Sequence, residues 1–366
     1  VSFPNDFLWG VSTASAQIEG AARTDGKGLS IWDVFCERPG NIRDGHTVET
    51  ACDHYHRYAE DAALMQWLGV RINRFSVSWP RVLPTGEGGP NPKGLDFYDR
   101  LVDALLAAGV RPLLALYHWD MPWELQCRGG WLNRETVDRF ADYAALLVDR
   151  LSDRVADWIT FVEIAAFLGA GYRSGQHAPG WQCAPREYLR AIHHTLLAHG
   201  RAVQAIRAGS RQPARVSISH VGGAFLPRTD DPADVEAARL ASTTDVHFDR
   251  PDAISNAWLL DPIYRGQYPP ETLQRLGELA PEIRPGDLET IAQPLDFFAL
   301  NYYSASHVRM GPDGRPVRDP APVVPGYHSA WGWLIFPEGL YYLPRFFHQR
   351  YKLPILITEN GMAGLD

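Results

Sequence analysis

The sequence predicts an α/β fold of the barrel kind, a parallel sheet whose strands alternate with crossover helices. Three observations predict it. Short β-rich runs alternate with helical patterns along the chain. Most of those runs are continuously apolar, as strands covered on both faces must be. Their C-terminal ends collect polar and aromatic residues, which in a barrel would surround one mouth.

The elements follow in order. The first run, 7–17, ends at Gln17, and a helical pattern over 54–67 places Tyr58, Ala62, Leu64 and Met65 at helical spacing. The second run, 72–79 (INRFSVSW), ends at Trp79 and precedes a helix over 95–108. The third, 112–119, closes on His118 and Trp119 before a helix over 134–151. The fourth, 158–163, ends at Glu163; a helix over 186–208 leads to the fifth, 215–220. Residues 221–294 carry Pro, Asp and Gly clusters (Asp230, Asp231 and Pro232; Pro269 and Pro270; Pro285 and Gly286) and are expected to form an elaborated connection around the mouth. The sixth run, 297–303, ends in Asn301, Tyr302 and Tyr303; residues 309–327, with five Pro and three Gly, are expected to be an irregular loop. The seventh, 354–360, ends in Glu359 and Asn360. Seven strands would leave a barrel two unpaired edges. The sequence stops just after the seventh, so the eighth strand and helix are expected to be absent from it. Residues 1–366 are expected to be a single (β/α) barrel catalytic domain, C-terminally incomplete.

Composition narrows the function classes. The 366 residues are 45% hydrophobic, enough for a large core, and α/β barrels exceed 200 residues as one domain. Twelve Trp and 15 Tyr suit a core, and equally a pocket for sugars, whose C–H faces stack on flat rings. A net charge of −8 argues against a nucleic-acid or anionic-membrane surface. Cys36, Cys52, Cys127 and Cys183 have neither metal-type spacing nor the density of a disulfide framework, which favours a reducing cytoplasm. The start, VSFPNDFLWG, lacks a basic region followed by an apolar one, as a secretory leader would show. The most apolar stretch, 158–172, is too short to span a membrane and contains Glu163.

Two acids stand out. Glu163 is the lone acid of WITFVEIAAFLGAGY. Desolvation should raise its pKa, and a carboxylic acid kept protonated can donate to a departing oxygen. The plainer reading is an acid closing a strand and paired with a distant Arg. Glu359, in PILITENG, follows a β-branched strand and precedes Gly361, which permits a sharp turn into the mouth. Arg74, in INRFSVSW, could supply the cation that keeps a nucleophile ionised. The plainer reading of Glu359 is a cap for a following helix. Paired carboxylates suit glycoside hydrolysis, with retention at roughly 5–5.5 Å separation and inversion at roughly 6.5–9.5 Å.

Ordered motifs over nearly the whole chain resemble glycoside hydrolase family 1, the β-glucosidase family: FLWGVSTASAQIEGA, DHYHRYAEDAALM, RFSVSWPRVLP, LYHWDMPWEL, RGGWLN, LNYYSASH, FPEGLYYL and ITENG. The resemblance implies a (β/α)8 TIM barrel and a retaining mechanism that needs no metal and no cofactor. It implies Glu359 as nucleophile and Glu163 as acid/base, with Gln17 and His118 bonding the sugar and Trp119 beside them. It also implies Arg74 near the nucleophile, Tyr303 with its hydroxyl on the nucleophile, Asn301 opening that motif, and Trp333 on the aglycone side. One motif departs: where the family has Asn-Glu-Pro, this chain has Val162, Glu163 and Ile164. Val162 has no donor for a sugar 2-hydroxyl, a contact that strengthens in the transition state.

Three readings follow. The first is an active β-glycosidase acting on a small-molecule glycoside. The second is a repurposed family member, a natural-product tailoring enzyme for a 2-deoxy or non-sugar substrate. The third is a catalytically weak binding protein that keeps the pocket only for recognition.

Overall fold

The structure is a computed structural model and describes residues 2–247, 254–319 and 328–364. In chain order the strands are β1 (Gly10–Ser12), β2 (Ile72–Ser76), β3 (Arg111–Tyr117), β4 (Asp157–Val162), β5 (Arg215–His220), β6 (Phe225–Pro227), β7 (Phe298–Tyr302), β8 (Ser306–Met310), β9 (Pro316–Arg318) and β10 (Ile355–Asn360). The chain divides into two compact units, Val1–Ile218 and Ser219–Asp366.

In the first unit the strand order is β1-β2-β3-β4-β5, with β1 on β2, β2 on β3 and β3 on β4 parallel. β2 and β4 are buried at every residue and β3 at all but Arg111, which is why β3 and most of β4 read as apolar runs, while β2 buries Asn73, Arg74 and Ser76 as well. The crossover helices show the complementary pattern. In Pro92–Ala107 the buried residues Leu95, Tyr98, Leu101, Val102 and Leu105 recur at helical spacing, and Pro92 occupies the first turn, where its missing N–H costs nothing. Glu135–Leu151 buries Phe140, Tyr143, Leu147 and Leu151 in the same way. Phe140 stacks on Phe161 of β4 at 4.4 Å, and the Tyr143 hydroxyl donates to the Leu116 carbonyl at 2.9 Å, so this helix fixes where β3 and β4 end. At the opposite end, buried Asp157 pairs with Arg111 and, at 2.7 Å, with Arg215 Nε. One carboxylate thus ties the starts of three neighbouring strands.

In the second unit β5, β7 and β10 pair in parallel. The helix Gly339–Tyr351 lays Leu343 and Phe347 against Phe298, Leu300 and Tyr302 of β7, with Phe298 and Phe347 stacked at 4.7 Å. The pairing of β7 with β10 is not regular. Ile357 faces Leu300 and Glu359 faces Asn301, so Thr358 is an extra residue, a β-bulge.

Three expectations need correction. Trp79 is not at a strand end: β2 stops at Ser76, and Trp79 opens the short helix Trp79–Val82. Gln17 is not at a strand end: β1 stops at Ser12, and Gln17 lies in the helical turn Ser15–Ile18 that follows. The stretch 309–327 is not simply an irregular loop. Arg309 and Met310 end β8, and Pro316–Arg318 is β9, antiparallel to it; residues 320–327 lie outside the described residues. Within 221–294 the chain forms β6 and helices at Pro232–Thr243, Asn256–Arg265, Pro270–Leu276 and Asp287–Ile291. β6, β8 and β9 make a small sheet covered by Pro232–Thr243.

Candidate active site

The first unit carries six of the sequence-predicted residues, four of them (His118, Trp119, Val162 and Glu163) at the exits of β3 and β4. The register of β3 on β4 pairs Tyr117 with Phe161, so His118 and Trp119 leave the sheet level with Val162 and Glu163. Trp119 turns through a positive φ of 77° and its indole N–H donates to the Val162 carbonyl at 2.8 Å. That bond joins the two exits and occupies the backbone of Val162, whose side chain is fully buried. Glu163 also adopts a left-handed backbone (φ 61°, ψ 62°), a conformation costly for a non-glycine residue and concentrated at functional sites. It precedes the short helix Ile164–Leu168 but its side chain makes no capping hydrogen bond there. The carboxyl group is buried (7% exposed residue), so it lies where desolvation acts.

His118 is buried, and burial first and the charge of Arg74 second hold its pKa well below the usual imidazole range. It is therefore a neutral ring at physiological pH, able to donate at one nitrogen and accept at the other. Its Nδ1 has no hydrogen-bond partner among the described residues, which is what a group awaiting a polar ligand looks like. Arg74 is buried in β2. Gln17 is exposed, on a turn held by Ser15. The Ser15 N–H donates to Ser76 Oγ at 2.8 Å and the Ser15 hydroxyl donates to Asp120 Oδ2 at 2.8 Å.

Sequence reasoning missed Asp120, Ser15 and Ser76, which tie the exits of β1, β2 and β3 together. Asp120 is fully buried, and desolvation lifts its pKa from 3.8 to about 7 against the hydrogen bond from Ser15. Beside it, Arg81 Nε donates to Glu19 Oε2 at 2.8 Å and the Tyr98 hydroxyl donates to Glu19 Oε1 at 2.6 Å. The available signal was position: an acid directly after His118 and Trp119 at the end of an apolar strand.

The second unit carries the remaining residues. The bulge at Thr358 sets the aim of Glu359, and three buried polar groups hold the bulge. Thr358 Oγ1 donates to Asn301 Oδ1 at 2.7 Å, Ser219 Oγ donates to the same oxygen at 2.9 Å, and the two hydroxyls lie 2.9 Å apart. Asn301 thus fixes the strand that bears the acid. The Tyr303 hydroxyl donates to Glu359 Oε2, orienting the carboxylate. Asn360 Nδ2 donates to the Tyr302 carbonyl at 2.8 Å. Trp333, 44% exposed, meets the Tyr303 ring edge-on at 5.9 Å. Among the described residues no group of three or more His, Cys, Asp or Glu could hold a metal ion.

The model of glycosyl hydrolase family 1 matches residues 1–366. The chain belongs to glycosyl hydrolase family 1. Beta-glucosidase A of Thermotoga maritima is 42% identical over all of this chain and 79% of its own length. Thermostable beta-glucosidase B of Thermobispora bispora is 46% identical over all of this chain and 74% of its own length. A solved structure of the Thermotoga maritima beta-glucosidase in complex with deoxynojirimycin superposes with a TM-score of 0.86 at 41% identity, over 98% of this chain and 79% of that one. This family 1 member is accordingly a glycoside hydrolase with the (β/α) barrel fold, with seven strands of the barrel sheet among the described residues. No helix among the described residues is long and apolar enough to cross a membrane.

Proposed function

We propose that this chain is a retaining β-glycosidase working by two-step displacement, with Glu359 as nucleophile and Glu163 as acid/base. The Glu359 carboxylate attacks the anomeric carbon while Glu163 gives its proton to the leaving oxygen and the glycosidic C–O bond breaks. Glu163, now a carboxylate, takes a proton from water, whose oxygen displaces Glu359 and restores it. Two inversions leave the anomeric configuration unchanged.

The observation that carries the reading is the Glu359 setting. A strand-end carboxylate is re-aimed by a bulge, held by the contacts of Thr358, Asn301 and Ser219, and hydrogen-bonded by Tyr303. An acid serving only stability needs none of these. Glu163, buried at a left-handed strand exit and not capping its helix, supports the acid/base role. Gln17, His118 and Trp119 bind the sugar, and Trp333 lines the leaving-group side. The four cysteines are free thiols, which suits a cytoplasmic enzyme.

Val162 favours a second reading, that of a tailoring enzyme whose substrate lacks a 2-hydroxyl. It is fully buried beside Glu163, its side chain carries no donor, and its carbonyl already accepts from Trp119.

The test is a panel of aryl β-glucoside, aryl β-galactoside and aryl 2-deoxy-β-glucoside against the wild type, Glu359→Gln and Glu163→Gln. Turnover of the first two, abolished in Glu359→Gln and reduced about 10²- to 10⁴-fold in Glu163→Gln for poor leaving groups, supports the first reading. Preference for the 2-deoxy substrate supports the second. Full activity of Glu359→Gln would overturn both.

A further inference from the structure

Gln17 stands on a weak local support. Ser15–Ile18 is a helical turn of four residues, and Ala14 before it offers no side-chain cap. A turn that short is not stable by itself, so tertiary contacts set where Gln17 stands. The far end of the turn is tied into the fold. Glu19 accepts from Arg81 Nε at 2.8 Å and from the Tyr98 hydroxyl at 2.6 Å, and the Ile18 carbonyl accepts from Cys52 N–H at 3.2 Å. The near end is held by Ser15. Its N–H donates to Ser76 Oγ at 2.8 Å, Ser76 Oγ donates back to Ser15 Oγ at 3.2 Å, and Ser15 Oγ donates to Asp120 Oδ2 at 2.8 Å.

The two ends of the turn differ in what they are tied to. The side-chain bonds of Glu19 reach helices Trp79–Val82 and Pro92–Ala107, which bear none of the proposed site residues. The partners of Ser15 each follow a site residue by two positions: Ser76 follows Arg74 on β2, and Asp120 follows His118 at the exit of β3. Ser15 in turn precedes Gln17 by two. One hydroxyl therefore connects the turn that carries Gln17 with the exits that carry Arg74 and His118. Ser15, Ser76 and Asp120 are all buried, so water does not compete for these bonds.

We infer that Ser15 and Asp120 are positioning residues: the bond between them holds Gln17 at the distance from His118 at which one sugar ring meets both. The inference rests on the proposed β-glycosidase reading, in which Gln17 and His118 bind the sugar, and adds what keeps the two in step. Without the bond the turn is still held through Glu19, but Gln17 is no longer fixed level with His118. Contacts displaced by a fraction of an ångström lose much of their value to catalysis.

The experiment measures kcat/KM on whichever aryl glycoside of the panel above the wild type turns over fastest, in Ser15→Ala, Gln17→Ala, the double variant, Asp120→Asn and Asp120→Ala. Ser15→Ala should lower kcat/KM about tenfold in the wild-type background and less than about twofold in the Gln17→Ala background, because it acts through Gln17. Asp120→Asn keeps an oxygen for the Ser15 hydroxyl and should retain activity within about threefold, whereas Asp120→Ala should lose about as much as Ser15→Ala. An equal loss from Ser15→Ala in both backgrounds, or no loss in either, overturns the positioning role and leaves the β-glycosidase reading intact. Where the alanine variants do not fold, Asp120→Asn, which preserves shape, decides: a loss beyond about threefold overturns the inference. No wild-type turnover of any glycoside in the panel overturns the β-glycosidase reading and the positioning role with it.

Discussion

Asp120→Asn should change how the stability of this protein depends on pH. Asp120 is fully buried beside Ser15, Ser78, Glu19, Lys27 and Arg81, with Tyr143 also sensing its charge, and desolvation lifts its pKa from 3.8 to about 7. The neighbouring charges are largely committed elsewhere, Arg81 to Glu19 at 2.8 Å and Lys27 to Asp33 at 2.9 Å. Between those two pKa values the folded protein keeps the proton and the unfolded chain has released it. Stability from this group is therefore complete below about pH 4 and is lost as pH rises through about 7. At about 1.4 kcal/mol per pH unit, the interval from 3.8 to about 7 corresponds to roughly 4 kcal/mol. Asn has nearly the same shape and no proton to lose. The assay is urea unfolding of both proteins between about pH 4.5 and about pH 7.5. The wild-type advantage over Asp120→Asn should shrink by roughly 3 kcal/mol across that range. Parallel stability curves, or an advantage that grows with pH, would refute the assignment of a neutral buried carboxyl at this position.

Other outcomes follow from the same contacts. Asp157→Ala leaves Arg111 and Arg215 without their shared carboxylate and should cost roughly 2–3 kcal/mol by chemical denaturation, less than for a fully buried pair because both guanidinium groups are partly in water. A cost near zero would mean that this ion pair does not order the strand starts. Tyr303→Phe removes the hydrogen bond to Glu359 and should lower kcat/KM about 10- to 100-fold with the fold intact by circular dichroism; a change under about twofold would detach Tyr303 from the chemistry. Val162→Asn should raise activity on an ordinary aryl β-glucoside relative to its 2-deoxy analogue, and an unchanged ratio would remove the account of that position given above. The rate of the wild type should follow a bell-shaped pH curve belonging to the coupled pair of carboxyl groups, and a flat profile from about pH 4 to about pH 9 would contradict acid/base work by Glu163.

Much of this architecture was legible because burial leaves a mark on composition. β3 and β4 are covered on both faces, and PLLALY and WITFV show it without any alignment; β2 is buried as completely but carries Asn73, Arg74 and Ser76. Helix Pro92–Ala107 shows its buried stripe with equal clarity. What stayed hidden depends on partners distant in sequence. β6 and β9 have three residues each, too few to establish a period of two. Gln17 continues an apolar run into a helical turn because Ser15 finds Ser76 and Asp120, neither of which is near it in the chain. Asp120 shows its position at a strand exit in the sequence, but its burial depends on Ser15 and Ser76, which are distant in the chain. The left-handed backbone of Glu163 has no local signal, since neither Glu nor the residues flanking it favour that conformation.

The extra residue at Thr358 makes the direction of Glu359 a matter of counting. Along a strand, alternate side chains point to opposite faces, so removing a single residue ahead of the acid would turn it about without altering its chemistry. Conservative replacement of Thr358 should thus be milder than its deletion, which removes the hydroxyl bonded to Asn301 and changes the aim of Glu359 at the same time.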